Sequence, residues 1–219
     1  VKTLQLKSMC RFRQNLKKSK ARLKIQLTSY VDTLFPELQF FFKSGLHIKT
    51  CYELLKSYPS PDDIAALHLS KLSNFLSKAS RGRFGKQDAK SLKSLAKSSV
   101  GVKNTYISIQ ITQTIAQIEL IESQIDDLEH IIEKAMDELD SVIMSVPGIG
   151  KINGAMILGE IGDIKRFSHP SKLLAYAGLD PVVNQSGKFN AKHTRMSKRG
   201  SKMLRYALIN AAWNVSLNN

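Results

Sequence analysis

The stretch that decides the fold is residues 105–143, TYISIQITQTIAQIELIESQIDDLEHIIEKAMDELDSVI, where apolar residues recur at alternating intervals of three and four. The a positions of this heptad pattern are Ile111, Ile118, Ile125, Ile132 and Leu139, and the d positions are Thr114, Ile121, Leu128, Ala135 and Val142. A seam of this length is typical of a coiled coil, and β-branched residues at a favour two strands. The pattern therefore predicts one long helix whose seam is covered by a partner helix.

Acidic side chains lie outside this seam and are expected to keep the helix away from polyanions. They include Glu119, Glu122, Asp126, Asp127, Glu129 and Glu133. Two partners for the seam are open at this point. One is the same helix of a second chain, which would make the protein a homo-oligomer. The other is the basic first helix of the same chain, folded back as an antiparallel hairpin.

The charge changes sign outward from this stretch. Residues 1–100 contain 20 basic and 6 acidic side chains, whereas residues 101–145 contain 2 basic and 9 acidic ones. Residues 146–219 contain 11 basic and 3 acidic side chains, and the net charge of the whole chain is +15. A basic head and tail around an acidic middle indicate two surfaces that bind polyanions. Clustered positive charge of this kind is expected of a protein that neutralises the phosphates of DNA or RNA.

Three regions follow from this pattern: a basic helical region (1–100), the coiled coil (101–145) and a C-terminal helical domain (146–219). The first helix is predicted from about Leu4 to Leu34, because Pro36 excludes the residue before it from the α region. Its apolar positions near helical spacing are Phe12, Leu16, Leu23, Leu27, Val31 and Leu34. The predicted fold class is therefore mainly α.

A compact group of helices is predicted between His47 and Ser99. Ser60-Pro61-Asp62-Asp63 has the features of a helix start, namely a capping hydroxyl, an early proline and acidic groups near the positive end of the dipole. The run from Arg81 to Lys86, RGRFGK, places three cations and an aromatic ring in one turn. That turn fits a loop that contacts phosphate and equally fits a plain connection between helices.

Size and composition exclude several classes of protein. The chain has 219 residues, of which 42% are hydrophobic and 23% charged, and this argues against disorder and against a membrane protein. Cys10 and Cys51 are too few for a disulfide framework or a metal knuckle, so both are expected to be ordinary buried thiols. The basic start of the chain is unlike a secretory signal peptide, and we expect a cytoplasmic location.

The C-terminal region opens on residues 146–151, VPGIGK, which precede a helical run from Ile152 to Ile161. Glycines between two helices let backbone N–H groups approach a phosphate, while Lys151 supplies positive charge. The pattern is typical of a helix-hairpin-helix motif, which contacts the DNA backbone without reading sequence. Its predicted contacts are Gly148, Gly150 and Lys151. A merely structural tight turn is the alternative.

No acidic residue follows Asp180, and basic residues cluster within the 18 positions from 188 to 205. The predicted DNA contacts in this cluster are Lys188, Lys192, Arg195, Lys198, Arg199 and Arg205. Ser186, in the context Gln-Ser-Gly, lies just before them. Surrounding cations would stabilise the charge that develops when a serine hydroxyl attacks a phosphodiester. The residues alone nevertheless favour an ordinary loop serine at this position.

A series of ordered blocks extends over this region: SVPGIGK (145–151), GEIGDIKRF (159–167), LAYAGLDP (174–181), QSG (185–187), MSKRG (196–200) and LRYAL (204–208). This series resembles the C-terminal domain of the insertion-sequence one-ten transposases, which also include the Piv-type DNA invertases. The basic helix and the predicted coiled coil resemble the middle of such proteins. The resemblance therefore extends over essentially the whole chain.

The resemblance implies a DNA transposase or site-specific recombinase associated with the bacterial nucleoid. In that family a RuvC-like domain with four acidic metal ligands acts together with a C-terminal serine. Recombination passes through a covalent serine–DNA link, and a structured noncoding RNA bridges donor and target DNA. The Gln-Ser-Gly context places the family's serine on Ser186, with Ser197 as the second candidate. His193 is a candidate for proton transfer or for a phosphate contact.

One departure from the family pattern concerns the acidic domain. The chain begins almost directly with the basic helix, and its first 31 residues contain no Asp or Glu. We therefore expect a truncated or split transposase, or an excised fragment, that holds no metal of its own and is inactive alone. A divalent metal such as Mg²⁺ is expected only with the RuvC-like domain. The alternative is a noncatalytic nucleic-acid-binding remnant of a transposase.

Overall fold

The computed structural model describes residues 2–182, 185–186, 189–190 and 195–217, and it is mainly α-helical, as predicted. The chain forms two compact units. The central unit consists of Lys17–Ser123, and the terminal unit combines Val1–Leu16 with Gln124–Asn219. Because these boundaries fall inside the first and the longest helix, each of those two helices contributes to both units.

Seven helices contribute to the central unit. They are α1 (Lys2–Leu34), α2 (Leu38–Phe41), α3 (Lys49–Ser57), α4 (Pro61–Ala66), α5 (Leu69–Ser80), α6 (Lys86–Lys97) and α7 (Thr105–Leu139). Helix α1 ends two residues before Pro36, as predicted. The start of α4 is also confirmed, since Ser60 and Asp63 exchange hydrogen bonds as a capping box.

The central unit has an apolar core to which α1 and α7 both contribute. Buried side chains from these two helices are Leu27, Val31, Leu34, Ile111, Ile115 and Ile118. The end of α1 lies near the start of α7, since the Val102 N–H donates to the Thr33 carbonyl at 2.9 Å. At the other end Lys20 pairs with Glu122 at 3.4 Å. The two helix segments are therefore antiparallel in this unit.

The turn from Arg81 to Lys86 connects α5 to α6. Arg81 ends α5 in the left-handed region with φ +57°. The Phe84 ring stacks on Phe41 and meets Phe42 edge-on, at centroid distances of 5.6 and 5.5 Å. The aromatic residue of this turn therefore packs against the core, and only its cations remain exposed.

The terminal unit adds three helices and a short hairpin to its parts of α1 and α7. The helices are α8 (Lys151–Ile161), α9 (Pro170–Ala177) and α10 (Lys202–Leu217), and the strands are β1 (Gln185–Ser186) and β2 (Phe189–Asn190). Single 3₁₀ turns lie at Val142–Ser145 and Ile164–Arg166. The strands pair antiparallel, with Ser186 opposite Phe189.

The core of the terminal unit draws on five helices of the part of the chain that the structure describes, since Ala177 of α9 also belongs to it. Its buried side chains include Leu6, Cys10, Ile132, Met136, Ala155, Met156, Leu204 and Ala207. Gly159 lets α8 pack against the backbone of α1, since a Cβ at this position would lie 2.7 Å from the backbone nitrogen of Lys7. Burial raises the pKa of the Cys10 thiol to about 11. Cys51, in the other core, is also buried, so both cysteines are buried free thiols as predicted.

The a positions of the heptad pattern are buried from Ile111 to Ile132. In the central unit Lys20 of α1 pairs with Glu122 of α7. In the terminal unit Arg13 of α1 pairs with Glu129, its Nε donating at 2.6 Å. The partner of the seam is therefore α1 of the same chain, which is the second of the two alternatives.

Two sequence expectations about these helices are wrong. The seam was expected to reach Val142, but α7 ends at Leu139, Asp140 turns the chain at φ +42°, and Val142 is 86% exposed. Phe12 was expected on the apolar face of α1 and is 57% exposed. Its neighbour Arg13 occupies the buried position instead, because Glu129 neutralises its charge there.

Several acidic residues outside the seam form ion pairs with other helices, although the sequence predicted only that they keep α7 away from polyanions. Glu119 of α7 pairs with Lys56 of α3 at 2.8 Å in the central unit. Together with the carboxylates held by Lys20 and Arg13, it orients α7 within each unit. These side chains therefore fix helix contacts as well as adding negative charge.

Candidate functional site

The glycine turn before α8 is tightly built. Gly148 has φ +84°, and a Cβ here would lie 3.0 Å from the backbone of Asn214 in α10. The Asn214 side chain also donates to the Gly148 carbonyl at 3.2 Å. Glycine is therefore required at position 148 both for its backbone conformation and for the close approach of α10.

Gly150 and Lys151 differ from Gly148 in their surroundings. Gly150 precedes the first turn of α8, and no atom lies within 4 Å of the position its Cβ would take. Lys151 opens the helix and its ammonium lies 2.6 Å from Asp137 near the end of α7. The start of α8 is therefore open, but its lysine is already paired with a carboxylate in this structure.

A basic loop follows the hairpin in sequence and ends at the first residue of α10. It is defined here as residues 195–202, and its exposed cations are Arg195, Lys198, Arg199 and Lys202. No carboxylate lies within ion-pair distance of these four among the residues that the structure describes. Their charges are thus available to an anionic partner.

Backbone hydrogen bonds fix the path of this basic loop. The N–H groups of Ser197, Lys198 and Ser201 donate to the carbonyls of Asp180, Gly178 and Tyr176, at 2.9 to 3.1 Å. Lys198 adopts φ +54°, a left-handed conformation that is uncommon for a residue with a side chain. The loop is therefore held in one shape before any ligand arrives.

Gly178 and Gly200 make the close approach possible. A Cβ on Gly178 would lie 2.0 Å from the Arg199 carbonyl oxygen, and one on Gly200 would lie 2.2 Å from the Tyr176 carbonyl oxygen. Both glycines also have positive φ. Each is required by this contact and by its backbone conformation, which accounts for their presence in two of the quoted sequence blocks.

Arg205 differs from the other predicted contacts of the basic cluster. It is half-buried, and its guanidinium donates to the Ala177 carbonyl at 2.9 Å. This bond ties the first turn of α10 to the end of α9. Lys188, Lys192 and His193 lie outside the described residues.

The two candidate serines lie in different settings. Ser186 is in β1 of the hairpin, where its backbone pairs with Phe189. The Ser197 hydroxyl donates to the Asp180 carboxylate at 2.5 Å. It also accepts a longer bond from the Arg199 N–H at 3.4 Å. Ser197 therefore contributes to the structure of the basic loop.

A buried carboxylate that the sequence did not predict links the end of this loop to α1 and α8. Glu160 is 3% exposed. Its oxygens accept two bonds from Arg11, at 2.7 and 3.1 Å, and one from the Ser201 hydroxyl at 2.8 Å. The Lys7 ammonium lies 3.9 Å away. The Glu160 cluster, defined as these four residues, joins α1, α8 and the start of α10 within the terminal unit.

The charge state of Glu160 follows from these contacts. Burial alone would raise its pKa, but hydrogen bonds from Arg11 and Ser201 and the charges of Arg11 and Lys7 hold the pKa below the ordinary value. The hydrogen bond to Glu160 raises the pKa of Arg11 in turn. Glu160 is therefore ionised at neutral pH. The only local signal for this cluster was an acidic residue within an otherwise apolar run.

Arg166 was also missed by the sequence analysis. Its guanidinium lies 4.6 Å from the ring centre of Phe167 and 4.5 Å from that of Tyr176. Cation–π contacts of this kind hold the charge in place over the aromatic faces. They fix a cation near the start of α9, apart from the predicted cluster.

The part of the chain that the structure describes lacks two further features, a metal site and a membrane span. No group of three or more His, Cys, Asp or Glu side chains there is arranged to hold a metal ion. In the same part of the chain, no helix combines the length and the apolar character that crossing a membrane requires.

Comparison with known proteins shows what the C-terminal part of the chain is similar to. Residues 140–219 match the sequence model described as Transposase IS116/IS110/IS902 family. This segment contains the glycine turn, the hairpin, the basic loop and Glu160. The match confirms the resemblance that the ordered sequence blocks predicted.

Individual relatives extend the similarity beyond this segment. The IS117 mini-circle protein of Streptomyces coelicolor is 28% identical over 189 residues, which are 81% of this chain and 45% of that protein. The insertion element IS116 protein of Streptomyces clavuligerus is 23% identical over 209 residues, 94% of this chain and 51% of its own length. The pilin gene-inverting protein of Moraxella bovis is 40% identical over 76 residues, 35% of this chain and 24% of that protein.

The chain spans about half the length of the first two of these relatives. Residues 140–219 are therefore similar to the IS116/IS110/IS902 transposase family, and most of the chain is similar to proteins of insertion elements.

Proposed function

We propose that this chain is the DNA-binding, serine-bearing part of a transposase that recombines insertion-sequence DNA by phosphoryl transfer. The observation that supports it most is the basic loop, whose four exposed cations lack a carboxylate partner among the described residues. The Val182 N–H donates to the Arg195 carbonyl at 2.8 Å, and Ser186 lies in the chain between these two residues. Phosphates held by this loop bring the DNA backbone to the segment that carries Ser186.

A second contact with DNA in this proposal is the start of α8, acting as a helix-hairpin-helix motif. The open space around Gly150 supports it, because a phosphate can approach the first N–H groups of the helix there. On DNA binding, the Lys151 ammonium would leave Asp137 and pair with the phosphate. Since the pair is largely exposed, at 42% and 61%, its loss costs less than about 1 kcal/mol.

Ser186 is proposed as the nucleophile. Its Oγ attacks the phosphorus of a DNA phosphodiester, and a serine–phosphate ester forms as one bond between phosphorus and a sugar oxygen breaks. The serine proton passes to a base, and the leaving sugar oxygen gains a proton. A hydroxyl of the second DNA strand then displaces the serine, which restores a phosphodiester. The cations of the basic loop stabilise the negative charge that develops on the phosphate.

Ser197 is the second candidate for this role. Its short bond to Asp180 supports a structural function instead, because removal of the hydroxyl would release a carboxylate that anchors the basic loop. A serine that holds the loop in shape and a serine that attacks the phosphorus have different expected effects on substitution. The two positions are therefore the natural pair to compare by mutation.

Further partners belong to the same proposal. A RuvC-like domain, with Mg²⁺ held by its own carboxylates, supplies the metal chemistry. A structured noncoding RNA selects the DNA, and copies of the chain associate through α7. The site of action is the nucleoid in the bacterial cytoplasm. Resemblance to the family supports these partners, and the charge pattern supports the nucleic acids.

Strand transfer in a complex restored with a RuvC-like domain tests the proposal. Ser186→Ala should abolish strand transfer while DNA affinity stays within a few-fold, since one neutral hydroxyl contributes on the order of 1 kcal/mol to binding. Ser216→Ala is the matched control, because this exposed serine near the end of α10 bonds only to the Trp213 carbonyl among the contacts described. It should leave both quantities unchanged.

Other outcomes would revise the proposal in defined ways. Full strand transfer by Ser186→Ala combined with its loss in Ser197→Ala would move the nucleophile to Ser197. Intact strand transfer in both variants would remove the serine mechanism. DNA binding without strand transfer by the wild-type complex would support the noncatalytic remnant instead.

A further inference from the structure

The outward face of the first half of α7 is an uncharged stripe. The stripe consists of Tyr106, Ile109, Gln113, Ala116, Leu120 and Ser123, all of them exposed. Its apolar members Tyr106, Ile109 and Leu120 are 78%, 48% and 59% exposed. These six residues are separated by three, four, three, four and three positions. That is the spacing of a helix-pairing seam, on the face opposite the one that α1 covers.

The flanks of the stripe are uncharged as well. Gln110, Gln117 and Gln124 follow one edge at intervals of seven, and Thr105 and Thr112 follow the other. Glu119 is the one charged residue on the second edge before residue 126, and its carboxylate is held by Lys56 at 2.8 Å. After Ser123 the same outward position is occupied by Asp127. The uncharged surface therefore has defined ends.

The stripe is complementary to itself when two copies run antiparallel. When two identical helices pair antiparallel, the residue numbers of each facing pair add up to the same value. A value of 229 pairs all six residues of the stripe with one another. Ile109 then lies opposite Leu120, Gln113 opposite Ala116, and the large Tyr106 opposite the small Ser123. Two identical faces that meet in this way form a closed, twofold-symmetric contact. A parallel pairing would instead place Tyr106 against Tyr106 and Ala116 against Ala116.

We infer that the stripe from Tyr106 to Ser123 is the surface through which two copies of this chain pair, antiparallel and twofold-symmetric. The inference deepens the proposed association through α7, since α1 already covers the heptad seam. Two copies that each carry +15 repel each other, and the six residues of the stripe bring no charge of their own to the contact. Burial of its apolar side chains supplies the attraction, and the glutamine flanks supply amide hydrogen bonds.

Sedimentation over a concentration series tests this surface in the full chain. The wild type should be a dimer. Ala116→Lys should be monomeric at the same concentrations, because it places a charged side chain in both of the Gln113–Ala116 pairs at the centre of the contact. Ser94→Lys adds the same charge to an exposed position on α6 of the same unit and should remain a dimer. Leu120→Glu is a second disrupting variant, and helical circular dichroism checks that each variant folds.

Cysteine crosslinking tests the antiparallel register. Ile109→Cys and Leu120→Cys chains with different tags should form a mixed disulfide when combined, while neither should crosslink efficiently with itself. The wild-type chain is the control, since Cys10 and Cys51 are buried. Self-crosslinking of each variant without the mixed product would overturn the antiparallel pairing.

The remaining outcomes separate this inference from the broader proposal. A wild type that stays monomeric at high concentration would overturn both the stripe and association through α7. A dimer that survives Ala116→Lys and Leu120→Glu would overturn the stripe alone. Loss of the dimer in Ser94→Lys as well would show a general effect of charge and would also overturn it. None of these outcomes bears on Ser186.

Discussion

Helix α1 is held by different forces in the two units. In the central unit its buried side chains are apolar, and Leu27 and Val31 are completely buried. In the terminal unit the same helix buries Leu6 and Cys10, and it also places Arg13 at a buried position and uses Arg11 to hold Glu160. Apolar contacts are strong but non-directional, whereas a buried charge tolerates only the arrangement that pairs it. The comparison indicates that apolar burial anchors α1 in both units and that paired charges align its first half.

The largest effect is expected where this anchor is removed. Leu27→Ala should lower the free energy of unfolding of the central unit by about 3 kcal/mol, because it leaves a cavity at a fully buried position. Ile25→Ala, on the same helix but 72% exposed, should cost less than about 0.5 kcal/mol. Urea unfolding followed by circular dichroism measures both. Equal costs would contradict the burial described for α1.

A smaller effect is expected from the Glu160 cluster. Glu160→Gln should destabilise the terminal unit by about 2 kcal/mol at neutral pH, less than for a fully buried ion pair because Arg11 is 52% exposed. Fluorescence of Trp213 reports on this unit, since it is the single tryptophan and lies in α10. Glu138→Gln is the control, because Glu138 is exposed and its Lys2 partner is 3.9 Å away. No difference between the two would contradict a role for Glu160 in stability.

The same cluster predicts how stability depends on pH. The pKa of Glu160 is lowered on folding, so its contribution is present above the ordinary value of 4.5 and is lost as the pH falls through the folded-state pKa. Acid titration of the Trp213 signal should therefore show a loss of stability below that value. The Glu160→Gln variant should be less sensitive to acid in this range. An unchanged acid dependence would assign the effect to other carboxylates.

Binding measurements extend the comparison from stability to DNA. The double variant Lys198→Ala and Arg199→Ala should reduce the slope of log affinity against log salt by about two, because two phosphate contacts are lost. Binding should weaken equally for unrelated sequences, since phosphate contacts carry no direct base readout. Lys134→Ala, on the acidic half of α7, removes an exposed cation and should change little. An affinity independent of salt would contradict the electrostatic account.

The smallest effect concerns the pair that competes with DNA at α8. Asp137→Ala frees the Lys151 ammonium and should tighten DNA binding by a few-fold at most, while stability changes by less than about 1 kcal/mol. Filter binding at low salt measures the change. Weaker binding would indicate that Lys151 must be held by Asp137 to contribute, and would count against the helix-hairpin-helix interpretation.

The sequence predicted the features whose physical cause is local. The burial of Ile111, Ile118 and Ile132 follows from helical periodicity, and the start of α4 follows from its capping residues. The covering helix could not be chosen, because a heptad pattern shows that a seam needs a partner without naming it. Only the contacts of α1 with α7 decide that question.

The candidate site was predictable to a lesser extent. The cations of the basic loop are evident from composition, but their pre-set path depends on Gly178 and Gly200, whose partners lie about 20 residues away. The Glu160 cluster was missed because its main partner, Arg11, is 149 positions distant in sequence. A lone carboxylate in an apolar run signals that some partner exists, and the fold identifies it.

Mapping the covalent protein–DNA adduct tests the central claim most directly. The complex restored with a RuvC-like domain is reacted with DNA, denatured and digested with a protease. Mass spectrometry then locates the peptide that retains nucleotide. We predict that the modified residue is Ser186, and that Ser186→Ala yields no adduct while still binding DNA. An adduct on Ser197, or recombination by the wild type with no serine adduct trapped, would contradict the account.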